Sequence, residues 1–179
     1  MNEFNSTILG EKDQTKYTMS LCDFPIDQKW NLIYRASEDG FESLNFHSKC
    51  DDKPNTLIII KSINGNIFGG YTEQSWCGNG SNKADPNAFI FCLINKHNRP
   101  LKMKCHNQNY AIYCSKNYGP KFGYDFYIAD KSNKNTTNYS NLGHYYTHPD
   151  YAFGSYEAES FLADSFNFQV EGIEVYTKK

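Results

Sequence analysis

The apolar positions of this chain fall into short runs of period two, separated by turn residues. In "WNLIYR" (30–35), Trp30, Leu32 and Tyr34 alternate with Asn31 and Arg35, which predicts a strand with one face covered. "TLIIIKS" (56–62) and "AFIFCLIN" (88–95) are apolar on both parities and read as strands covered on both faces. "LKMKC" (101–105) alternates again, with Leu101, Met103 and Cys105 inward and two lysines outward, and "DFYIAD" (125–130) is another short strand. "FNFQVEGIEVYT" (166–177) reads as one last strand. In it Phe166, Phe168 and Val170 share one parity while Ile173 and Val175 share the other. Keeping one inward face takes one extra residue, which predicts a β-bulge at Glu171-Gly172.

Helical spacing is rarer. Tyr17, Ser20, Leu21 and Phe24 recur at i, i+3, i+4 and i+7 and predict a helix that Pro25 ends. Asp39 and Glu42 are spaced as a capping pair ahead of a short helix, which carries Phe46, His47 and Cys50 on one face and closes before Pro54. In "KSINGNIFGGYTEQSW" (61–76), Asn64-Gly65 predicts a two-residue hairpin turn with positive φ at both central positions. The returning strand (66–72) holds Gly69 and Gly70 in its middle, where a bulge or a close backbone approach is expected. Residues 131–138 form a turn-rich loop. The sum is a mainly β protein: a two-sheet antiparallel β-sandwich flanked by short helices over residues 30–179, with a helical lead-in (1–29) on or next to it.

Composition narrows the function. The chain has 179 residues, enough for one domain with a sizeable core, and its 14 tyrosines and 13 phenylalanines favour strands. A net charge of −2 provides no basic stripe for phosphates, so nucleic acid is not the expected partner. Six cysteines, at 22, 50, 77, 92, 105 and 114, form no C-x-x-C pair and match no zinc spacing. "MNEFNSTILG" lacks the pattern of a signal peptide, and no apolar run approaches a membrane span. Four sequons, at Asn5, Asn79, Asn135 and Asn138, are then chance occurrences. A cytoplasmic protein is expected, without membrane insertion, its cysteines serving as small hydrophobes.

Candidate chemistry is thin. Gly65, Gly69 and Gly70 are not followed by the Lys-Ser/Thr of a phosphate loop. Trp76 reads as core, with ligand stacking as the alternative. His47 and Cys50, at i and i+3, offer either two metal ligands, a nucleophile with its base, or a core thiol beside a hydrogen-bonded histidine. His144 and His148, near Asp150, are a weaker pair, since Pro149 argues against a helix there. Glu73, Asp85, Glu157 and Glu159 are scattered, and no nucleophile motif is present. No catalytic residue, cofactor site or metal site is assigned.

Several blocks together resemble the TLDc domain of the oxidation-resistance proteins and nuclear-receptor coactivator relatives. They are residues 32–76 (from "LIYRASEDGF" to "EQSW"), "KADPNAFIFCLIN", "AIYCSKNYGPKFG", "DFYIAD", "YSNLG" and "FLADSFNFQVEGIEVY". They run in order over residues 30–177, and "STIL" (6–9) resembles the family's lead-in helix. The resemblance implies a β-sandwich in which Asp39, Gly40, Gly65, Gly69, Gly70, Trp76 and Gly172 are fold signatures. It also implies protection against oxidative damage and binding to the peripheral sector of the vacuolar proton pump, the V-ATPase. Two stretches depart from the family. "PKFGYDFYIAD" is shorter than the usual glycine-rich run with a histidine, with Tyr124 in its place, and Glu38 stands where an arginine is usual. An interaction module is therefore favoured. A redox-active or otherwise unrecognised enzyme acting through a cysteine such as Cys50 is the alternative, and a tyrosine-lined sugar-binding sandwich is a third reading.

Overall fold

The computed structural model describes residues 4–10 and 12–179, so residues 1–3 and 11 of the expected lead-in lie outside the description. The protein is a β-sandwich. Its strands are β1 (Trp30–Arg35), β2 (Thr56–Ser62), β3 (Ile67–Thr72), β4 (Asn79–Lys83), β5 (Phe89–Ile94) and β6 (Leu101–Lys104). They continue as β7 (Ile112–Ser115), β8 (Tyr118–Phe122), β9 (Phe126–Ala129), β10 (Asn138–Ser140), β11 (Asn167–Phe168) and β12 (Val170–Lys178). The larger sheet has the order β1-β12-β2-β3-β5-β6 and the smaller β11-β10-β9-β8, with β4 and β7 forming a separate ribbon. The helices are α1 (Lys12–Leu21), α2 (Ala36–Asp39), α3 (Ser43–Cys50) and α4 (Tyr156–Ser160), more than the sequence pattern suggested.

Two apolar layers explain the runs without alternation. Between the sheets lie Ile58, Ile60, Phe68 and Ile90 of the larger one and Phe122, Phe126, Ile128 and Phe168 of the smaller. Phe68 meets Phe126 and Phe168 edge-on, with ring centroids 5.6 and 5.5 Å apart. On the outer face of the larger sheet, Leu57, Ile59, Phe91 and Tyr176 are covered by Leu9, Met19 and Cys22 of the lead-in, with Phe24 beside them. Burying each such side chain stabilises the fold by roughly 1.5–3 kcal/mol, so β2 from Leu57 to Ile60 and β5 from Phe89 to Leu93 are apolar on both faces.

Several local expectations are corrected. α1 ends at Leu21, before Pro25, and buries Thr18 and Met19 while Tyr17 is half exposed. Tyr17 and Ser20 of the expected stripe are thus exposed, whereas Leu21 packs against the outer layer. Residues 7–9 of "STIL" form a turn. The capping box joins Glu42 and Asn45 at the start of α3, one turn later than the Asp39–Glu42 spacing suggested. At the first hairpin only Gly65 has positive φ (86°). Gly65 N–H donates to Ser62 O, and Ser62 N–H to Asn66 O, so the loop has three residues, a type I turn completed by one left-handed glycine.

The parity of β1 also breaks. A register shift between Leu32 and Tyr34 sends Trp30 to the outer layer and Tyr34 to the inner one, whereas simple alternation put them on one face. The last apolar stretch is two strands: β11 pairs with β10 in the smaller sheet, and β12 with β1 and β2 in the larger. The bulge lies where the parity switch placed it, between Val170 and Gly172.

Candidate interaction site

The seven positions singled out as signatures shape turns and close approaches. A Cβ on Gly69 would lie 1.9 Å from the Ile58 carbonyl oxygen, and one on Gly70 2.5 Å from the Phe122 ring. Trp76 is buried, its indole N–H donating to Thr56 Oγ1 at 2.9 Å. The Asp39 carboxylate accepts from the Arg35 backbone N–H at 2.9 Å and pairs with Lys49 at 2.8 Å. Gly40 has φ 103°, and its carbonyl accepts from the Tyr34 hydroxyl at 2.7 Å. Gly172 faces Ile8 of the lead-in, whose Cδ1 would be 3.3 Å from an added Cβ.

The His47–Cys50 pair is not a nucleophile and its base. His47 Nδ1 meets Asp51 Oδ1 at 2.7 Å, and Nε2 meets the carbonyl oxygens of Ser115 and Tyr118 at 2.9 and 3.0 Å, which leaves neither nitrogen for a thiol. Cys50 is fully buried in the inner layer, and burial pushes its thiol far above the range in which a thiolate forms. Burial likewise pushes the thiols of Cys22, Cys92 and Cys114 up to about 12. His148 is buried and accepts from the N–H groups of Asp150 and Tyr151, while His144 contacts Asn141. Among the described residues no three His, Cys, Asp or Glu side chains converge on a metal position.

Carboxylates do organise the fold. Asp85 is buried and accepts from Thr72 Oγ1, Glu73 N–H and Asn87 N–H at 2.7, 2.7 and 2.9 Å. Asp125 is also buried and accepts from four backbone N–H groups, those of residues 143–146. Glu174, buried in β12, accepts from the Ser6 hydroxyl, from the N–H and hydroxyl of Thr7, from the Tyr176 hydroxyl and from Arg35 Nε at 3.0 Å. Burial alone would raise its carboxyl; the bonds from Ser6 and Thr7 hold it below the ordinary range. This node fastens the lead-in to the larger sheet. Neither Asp125 nor Glu174 was marked by any motif.

The surface feature that stands apart is the solvent face of the smaller sheet. Phe122 and Phe126 point inward, so the cross-strand neighbours Lys121 and Tyr127 point outward. Rings follow one another across the strands: Tyr118 to Tyr127 at 4.8 Å, Tyr127 to Tyr139 at 4.4 Å, Tyr139 to Phe166 at 5.4 Å. Lys121 stands among them, its Nζ 4.6 Å from the Tyr113 ring centre, 4.8 Å from Tyr124, 5.2 Å from Tyr118 and 5.6 Å from Tyr127. Only 7% of Lys121 is exposed. Among the described residues no carboxylate or carbonyl pairs with its ammonium, and burial alone holds its pKa below that of an ordinary lysine. Interplanar angles of 51° and 86° between successive rings give no flat platform, which disfavours the sugar-binding reading.

No helix among the described residues is long and apolar enough to cross a membrane. In comparison with known proteins, the sequence model of the TLDc domain matches residues 2–179. Among curated proteins, the MTOR-associated protein MEAK7 of Danio rerio is 25% identical over 65 residues, 36% of this chain and 14% of that protein. Its counterpart from Xenopus laevis is 26% identical over 70 residues, 39% of this chain and 15% of that protein. The matched stretch is thus a small part of either relative, whereas the domain model spans nearly the whole chain. The chain belongs to the TLDc-domain family.

Proposed function

We propose that this chain is a non-enzymatic TLDc interaction module that binds the peripheral sector of the V-ATPase in the cytoplasm, alters the pump's activity and contributes to oxidative-stress resistance. The observation that carries this reading is the family match over residues 2–179, read with the resemblance that ties the family to the pump. The site geometry supports it. Candidate nucleophiles and bases are built into the core, whereas an aromatic sheet face is turned to solvent, the composition favoured at protein interfaces. The redox alternative through Cys50 loses support, because a thiol sealed in the inner layer is not available for exchange.

A second reading comes from the relatives. MEAK7 is named for association with mTOR, and the shared segment could carry such an association here. The test is a titration of the purified chain against ATP-hydrolysing V-ATPase membranes, following proton pumping and release of the peripheral sector together. Saturable binding with altered pumping is the expected outcome. Absence of binding at high micromolar protein, with capture by mTOR in a parallel arm, would replace the first reading with the second.

A further inference from the structure

We propose that Lys121 and the tyrosines around it are a receptor for a carboxylate carried by an acidic, aromatic segment of a protein partner. The inference rests on reading the chain as a protein-binding module and names the chemistry its partner presents.

A lysine that is 93% withdrawn from solvent, its exposure being 7%, is ordinarily paired, because desolvating an ammonium without a counter-charge is costly. The rings of Tyr113, Tyr118, Tyr124 and Tyr127 supply a partial substitute, since their faces carry negative charge. They leave the hydrogen-bond donors of Nζ without an acceptor, and Nζ is not sealed from the surface. A site with one unneutralised cation accepts one anionic group. A carboxylate fits that count. A phosphate dianion would call for further cations or a forked guanidinium, and none lies against Nζ among the described residues. The neighbouring Tyr139 and the exposed Phe166 extend the apolar surface across the sheet, so aromatic residues flanking the acid have rings to pack on. An anion approaches between the ring edges, where the quadrupole is positive.

The experiment titrates isotope-labelled chain with a blocked Phe-Glu-Phe peptide, with blocked Phe-Gln-Phe and with inorganic phosphate, following the Lys121 and Tyr127 side-chain signals by NMR. The Glu peptide is expected to shift both saturably, with the Gln peptide weaker by about tenfold or more. Equal affinity for the two peptides, no shift at about 10 mM peptide, or preferential binding of phosphate would overturn the proposal. The pump titration is repeated with Lys121→Met, whose cooperative unfolding and native strand content are confirmed first. Loss of about tenfold in affinity supports the site. Unchanged affinity of the variant overturns this inference while leaving the V-ATPase reading standing. If the wild-type chain ignores the pump yet still binds the Glu peptide through Lys121, the reading fails and the receptor stands.

Discussion

A single position, Lys121, shows how a residue's meaning depends on the register around it. In "GPKFG" it looks like a solvated loop lysine, and nothing local marks it. Its four rings come from β7, β8, β9 and the turn between β8 and β9: pairing of β8 with β9 sets Lys121 opposite Tyr127, and β7, paired with β4, packs beside β8 and brings Tyr113 in. Glu174 is equally unmarked: between Ile173 and Val175 it reads as the outward member of an alternating strand, yet the lead-in covers it. Lys121 also sets up a measurable cost. Its pKa is lowered in the folded state, so at neutral pH the fold holds a charge that it disfavours. Lys121→Met should raise unfolding stability in urea by about 1 kcal/mol at pH 7. The gain should shrink as pH rises and vanish above the unfolded lysine value of about 10.4, where neither state is charged. A destabilised Met variant at pH 7 would mean that the rings fully compensate the charge.

At the scale of elements, period-two patterning made most strands and the bulge before Gly172 legible, because inward parity is enforced wherever a core lies behind it. It failed at β1, where an unpaired Ile33 moves Trp30 and Tyr34 to opposite faces, and at α1, where a short amphipathic pattern fits more than one rotation. The docking of the lead-in rests on Glu174 rather than on helical pattern. Glu174→Gln should cost about 1–3 kcal/mol, since a neutral amide is a weaker acceptor and brings donors that lack partners. Faster hydrogen exchange at the Thr7 amide would report the loosening, and unchanged exchange would count against the node. The carboxyl is held below its ordinary value when folded. Its contribution is therefore complete above the unfolded value of about 4.3 and disappears as pH falls through the folded pKa, so acid should release the lead-in of the wild-type chain but change the Gln variant less.

At the scale of the whole molecule, the spacing of the two sheets is set where Gly70 of one meets Phe122 of the other. A methyl group placed 2.5 Å from that ring has nowhere to go unless the layers part. Gly70→Ala should destabilise by about 1–3 kcal/mol, and pairing it with Phe122→Leu should recover part of the loss in a double-mutant cycle. Additive costs would show that the layers are not in register there. That there are two sheets could be read from doubly apolar strands. Which strand joins which sheet could not, since the chain changes sheets between Phe168 and Val170 with one residue between them. That crossover has a consequence for how the molecule is made. β12 lies between β1 and β2 although it follows them by more than a hundred positions. During synthesis β1 therefore has no strand partner and β2 keeps an open edge rich in isoleucine until β12 has emerged. β2, β3, β5 and β6 can pair before then, but the larger sheet is completed late and through distant contacts, which is slow, and the waiting edge is a natural client for a chaperone.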